Sequence, residues 1–107
     1  MTCMRVLSFD VGVVNLSYCL LTHEGIIDSW GILDIRSLKG HTQCDTIVNV
    51  LDRYTSFLEA DHVIIEKQPS KNNKMRIIEA LLNAYFVIKG KCNTTSTISK
   101  VLVYSAK

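Results

Sequence analysis

A chain of 107 residues makes one domain, or part of one. Its hydrophobic fraction of 48% argues against disorder, and no apolar run reaches the roughly 18–20 residues that cross a bilayer. The net charge is only +2, but Lys67, Lys71, Lys74, Arg76, Lys89, Lys91, Lys100 and Lys107 follow Glu66 with Glu79 as the sole acid among them, which suits a polyanionic partner or, more plainly, a solvated lysine-rich surface.

The first stretch, Arg5 to Phe9, predicts a short apolar strand ending on Asp10. A carboxylate at the end of a buried strand is costly to desolvate unless something binds it, and a metal ion is the usual solution. Gly12 then permits a close backbone approach before Asn15. Residues 15–22 predict a second strand, His23-Glu24-Gly25 a turn with glycine at positive φ, and Ile26 to Ile35 a third strand. The short links predict an antiparallel meander.

From Gln43 to Glu59 the period becomes helical, with Ile47, Val50, Leu51, Tyr54, Phe57 and Leu58 on one face. Val63-Ile64-Ile65 is a β-branched run ending on Glu66. A helix between strands predicts a parallel crossover, placing strand 62–65 beside strand 5–9. Pro69 to Asn73 reads as a loop. Lys74 to Lys89 predicts a helix with two apolar stripes: Met75, Ile78, Leu82 and Tyr85 on one, Ile77, Leu81 and Ile88 on the other. Such a helix serves a core on one side and a partner on the other. Gly90 suits its C-cap, and Thr97 to Tyr104 a fifth strand.

The N-terminus lacks a secretory pattern, so an intracellular chain is expected. Cys3, Cys19, Cys44 and Cys92 are scattered without a C-x-x-C pair, which predicts reduced, mostly buried thiols rather than a zinc site. His23, His41 and His62 have no metal spacing and read as surface or loop residues. Trp30 reads as core or as filler at a sheet edge.

The order β-β-β-α-β-α-β places Asp10 and Glu66 at the C-terminal ends of two parallel strands. Carboxylates converging there could hold divalent ions for phosphodiester hydrolysis, magnesium first and manganese as a substitute. Ser8-Phe9-Asp10-x-Gly12-x-x-Asn15, then Ile64-Ile65-Glu66-Lys67-Gln68-Pro69, then Asn73-Lys74-Met75 entering an apolar helix, resembles the Holliday junction resolvases of the RuvC type. The likeness runs from about residue 4 to the end and is nearest to the branch of poxviruses and related large DNA viruses.

That resemblance implies an α/β ribonuclease H-like domain over residues 1–107, with three antiparallel strands followed by parallel ones joined by helices. It implies a homodimeric, magnesium-dependent endonuclease acting on four-way DNA junctions, in the cytoplasm of an infected cell if the source is viral. Asp10 and Glu66 would be catalytic metal ligands. Gly12, Asn15 and Gln68 would support them. Lys67, Lys71, Lys74 and Lys107 would approach DNA, and helix 74–89 would carry the dimer interface.

The pattern departs from the family at its end. Two further acids on a helix after the fifth strand complete the family's set, whereas here no acid follows Glu79. A C-terminally incomplete resolvase is therefore expected, with a non-cleaving junction-binding relative and an RNA-directed nuclease of the same fold as alternatives. An ATP-handling protein of the actin type shares Asp-x-Gly but needs a later glycine-rich phosphate loop, which the sequence lacks.

Overall fold

Strand β1 (Val6–Val11) sets the frame by strict alternation: Leu7, Phe9 and Val11 are buried, while Ser8 and Asp10 point to the other face. A computed structural model describes residues 4–37, 39–67 and 73–105. Strands β2 (Asn15–Leu21) and β3 (Ile27–Asp34) follow β1 as an antiparallel meander. Gly25 turns the chain between them at φ 78°, a conformation that L side chains rarely adopt.

Helix α1 (Gln43–Asp52) starts at Thr42, whose hydroxyl accepts from the Asp45 N–H at 3.0 Å. The Asp45 carboxylate accepts from the Thr42 N–H in return, completing a capping box. These bonds to Thr42 hold the Asp45 carboxyl below the usual carboxylate range. Strand β4 (His62–Lys67) then runs parallel to β1, and helix α2 (Asn73–Phe86) leads through a wide π turn, Val87–Lys91, to β5 (Lys100–Ser105). The sheet order is β3-β2-β1-β4-β5, with β1, β4 and β5 parallel.

Both helices share one core with the odd-numbered residues of β1. Phe9 lies edge-on to Phe57, with ring centroids 5.7 Å apart, and 5.4 Å from Phe86. Leu7, Val63 and Ile65 from the sheet join Ile47, Leu51, Ile78 and Leu82 from the helices. Each such side chain contributes roughly 1.5–3 kcal/mol on burial. The Tyr85 hydroxyl donates to Asp52 at 2.5 Å, tying α2 to the end of α1. Burial first, and then this bond, push the phenol pKa up.

The elements differ from the sequence pattern in four places. The helix expected over 43–59 ends at Asp52, and a 3₁₀ turn, Thr55–Glu59, follows. Tyr54 leaves the helix to stack on Phe57, ring centroids 5.0 Å apart and 11° from parallel. Gly90 is not a left-handed cap, since Gly25 and Gly40 alone have positive φ among the described residues. A Cβ there would stand 2.7 Å from Ile98 Cδ1 and 3.2 Å from Ile98 Cβ, in the packed contact between the π turn and the chain entering β5, so a larger residue would require Ile98 to shift. That strand starts at Lys100 rather than Thr97. Cys44 and Cys92 are exposed rather than buried, whereas Cys19 is half-buried. Trp30 takes the second of its two expected places, on edge strand β3, with 70% of its surface exposed.

Candidate active site

The helices cover one face of the sheet, so the even-numbered residues of β1 and β4 line the other. Residues paired across adjacent strands share a face, and the register fixes the rows. One row runs Ile32, Ser17, Asp10, Glu66, Tyr104. The next runs Trp30, Cys19, Ser8, Ile64, Leu102. Asp10 and Glu66 are therefore direct neighbours at the C-terminal end of the two central parallel strands. Adjacent strands lie roughly 4.8 Å apart, well inside the reach of two carboxylates that share one ion.

A shallow cleft of about 140 Å³ opens here, lined by Ser8, Asp10, Ser17, Cys19 and Glu66 with parts of Phe9 and Tyr18. Asp10 is exposed and Glu66 half-buried. The desolvation argument drawn from a buried strand end thus fails for Asp10. Its strand is buried on the face turned away from the carboxylate. What brings the two acids together is register.

The turn behind Asp10 explains Gly12. Its N–H donates to the Asn15 carbonyl at 3.0 Å, and a Cβ on Gly12 would sit 2.8 Å from that same oxygen. A backbone oxygen cannot swing aside as a side-chain tip can, so this tight turn requires glycine. Asn15 opens β2 opposite Asp34, exposed at the same edge of the sheet.

Lys74 is exposed at the start of α2, in a groove of about 270 Å³ with Ser37, Gln43 and Ile77. Lys67 closes β4 one residue after Glu66. Gln68, Lys71 and Lys107 lie outside the described residues. Among those described, no three His, Cys, Asp or Glu side chains form a group that could hold a metal. The donor set at the cleft is thus two hard carboxylate oxygens groups on an open face. That fits a magnesium-like ion, which keeps several waters and takes one or two carboxylates. Sequence reasoning passed over Ser8, Ser17 and Tyr104. Alternation from Asp10 would have found Ser8, but Ser17 needed the β1–β2 register and Tyr104 the β4–β5 register.

No protein-family model matches the sequence, and no curated protein matches it by sequence. Solved structures match by fold. Thermus thermophilus RuvC in complex with Holliday junction substrate superposes with TM-score 0.63 and 13% identity, over 96% of this chain and 66% of that one. A further Thermus thermophilus RuvC structure gives 0.58 and 14%, over 95% of this chain and 64% of that one. Ribonuclease H1 from the halophilic archaeon Halobacterium salinarum gives 0.48 and 11%, over 96% and 85%, too weak a likeness to carry weight. At these identities the likeness to the two RuvC structures shows the fold alone: a RuvC-like mixed sheet with helices. The chain spans about two thirds of the length of the RuvC structures it matches. Among the described residues no helix is long and apolar enough to cross a membrane.

Proposed function

We propose that this chain carries the carboxylate pair of a divalent-metal-dependent endonuclease acting on branched DNA, with the four-way junction as its substrate. The observation that carries the reading is the direct opposition of Asp10 and Glu66 on the open face of a RuvC-like sheet. Their oxygens would hold magnesium or manganese. When bound, such an ion supplies Lewis acidity and an activated water for phosphodiester hydrolysis. Asp10 and Glu66 fix where the scissile phosphate must sit. The Gly12–Asn15 turn holds the strand end that presents Asp10, and Lys74 with its basic neighbours attracts the backbone. The motif context around Asp10, Glu66 and Asn73 favours the branch found in large DNA viruses.

A labelled four-way junction and a linear duplex of equal length, titrated by gel shift and incubated with magnesium, test the reading. Tighter binding to the junction, weakening steeply with salt, is expected, together with paired nicks near its centre. Equal affinity for both DNAs would remove the junction specificity. A second reading, junction binding without cleavage, is favoured by the lack of a third ligand among the described residues. Metal-independent binding with no nicking would select it.

The dimer belongs to the same proposal. The outward side of α2 exposes Ile77 and the π turn after it exposes Ile88, and beside them an apolar groove of about 150 Å³ is lined by Cys44, Val48, Leu81, Ala84, Tyr85 and Ile88 with Lys89. A second copy presenting the same surface about a two-fold axis would cover both and place two sites on one junction. Ile88→Glu is expected to convert a sedimenting dimer to monomer. Wild-type chain that sediments as monomer at high micromolar concentration would exclude this interface.

A further inference from the structure

A polar groove lies away from the carboxylates, between the end of β3 and the flank of α1. It encloses about 460 Å³ and is lined by Asp34, Arg36, Ser37, Thr46, Val50 and Arg53. Two arginines and one carboxylate line it. Arg36 gives Nε and Nη2 to Asp34, at 3.1 and 2.7 Å, which holds its plane fixed and leaves Nη1 outside that fork. The fork keeps Asp34 anionic below the usual carboxylate range and raises the Arg36 pKa. Both ends of the pair are more than half exposed, so it adds little to the fold. Arg53, at the end of α1, is exposed and reaches the groove from the far side.

Ser37 lines this groove and also the neighbouring one that holds Lys74. The two grooves meet at Ser37, with Arg36 and Arg53 lining one and Lys74 the other. Helix α2 begins at the second groove with no acid in its first turn, and an anion there would meet a favourable helix end. Asp34 ends β3, and Arg36 and Ser37 follow it, at the end of the sheet that carries Asp10 and Glu66. Two strand spacings separate β3 from β1, roughly 10 Å, the axial rise of about three nucleotides in duplex.

We propose that the two grooves form one channel, from Arg53 and Arg36 past Ser37 to Lys74, and that it is a second track for nucleic-acid phosphates, carrying backbone beside the cleavage site rather than within it. The proposal rests on the nuclease reading for its partner but on the two grooves for its location. Arg36 is the planar, preset contact, suited to a bidentate grip on phosphate. Arg53 is the flexible one. Asp34 orients Arg36 and also opposes an incoming phosphate, so the channel holds DNA less tightly than its two arginines would alone.

The test is fluorescence anisotropy of a labelled four-way junction, without divalent metal, from roughly 50 to 200 mM salt. Wild type is compared with the double variant Arg36→Gln/Arg53→Gln, with Asp34→Asn, and with Lys100→Gln. Lys100 starts β5, at the opposite end of the sheet, and supplies the same loss of one charge elsewhere. The double variant is expected to bind at least tenfold more weakly at the low-salt end. The slope of log affinity against log salt should be shallower by about two, near 0.9 per phosphate. Asp34→Asn should tighten binding, and Lys100→Gln should leave the slope unchanged. Arg53→Gln alone, at an exposed side chain outside the core, should lower the slope by about one. Circular dichroism melting of each variant confirms the fold. A double variant with the wild-type slope, or a Lys100→Gln effect per charge equal to it, would overturn the channel while leaving the nuclease reading intact. Wild-type chain that binds no nucleic acid at low salt would overturn both.

Discussion

Asp10→Asn and Glu66→Gln are each expected to lower magnesium-dependent nicking about a thousandfold, near 4 kcal/mol of transition-state stabilisation. Junction binding should stay within about threefold of wild type, because phosphate contacts set affinity and the carboxylates set chemistry. Both residues sit on the open face, and neither belongs to the helix-covered core. The substitutions should therefore leave the melting temperature nearly unchanged. A second readout does not depend on turnover: manganese binding followed by titration calorimetry should weaken at least tenfold in either variant and vanish in the double variant. Unaltered metal binding in the double variant would remove Asp10 and Glu66 from the site altogether.

Phe9→Ala, one residue away, is expected to do the reverse. Phe9 is 1% exposed and touches the rings of Phe57 and Phe86. Its loss should cost about 3–5 kcal/mol through lost burial and the cavity left behind. For a small domain that is a large share of the whole stability. Urea denaturation followed by circular dichroism measures it. The single tryptophan is a poor fluorescence probe, since Trp30 is already in solvent. Trp30→Ala should change stability by less than about 0.5 kcal/mol. A Phe9→Ala cost below about 1 kcal/mol would mean that the aromatic cluster is not the centre of the core.

Much of the sheet was legible because its two signals are local. Alternation marks β1 and β2, and the helix between β3 and β4 announces the parallel crossover. The break in α1 was not legible. Tyr54, Phe57 and Leu58 keep a helical spacing in sequence, and a 3₁₀ turn presents them to the core almost as a helix would. Only the stack of Tyr54 on Phe57, with Tyr18 against both, shows why the chain leaves the helix there. The carboxylate pair was legible by position but for a partly wrong reason, since Asp10 is exposed. The arginine channel was not legible at all. Arg36 and Arg53 belong to different elements, and the fold of the β3–α1 connection brings them to one groove.

The direct pairing of Asp10 with Glu66 ties the site to the parity of two strands. Sliding β4 by one residue against β1 would turn Glu66 inward and Ile65 outward. The displaced carboxylate would then lie among Phe9, Phe57 and Phe86, at a cost of several kcal/mol. Hydrophobic packing therefore proofreads the alignment of the two acids during folding, though it never touches them. Gaining or losing one residue inside β1 or β4 would exchange core for site, so length changes there are tolerable only in twos. The turn at Gly25, where exposed residues join β2 to β3, is under no such constraint and is free to vary in length.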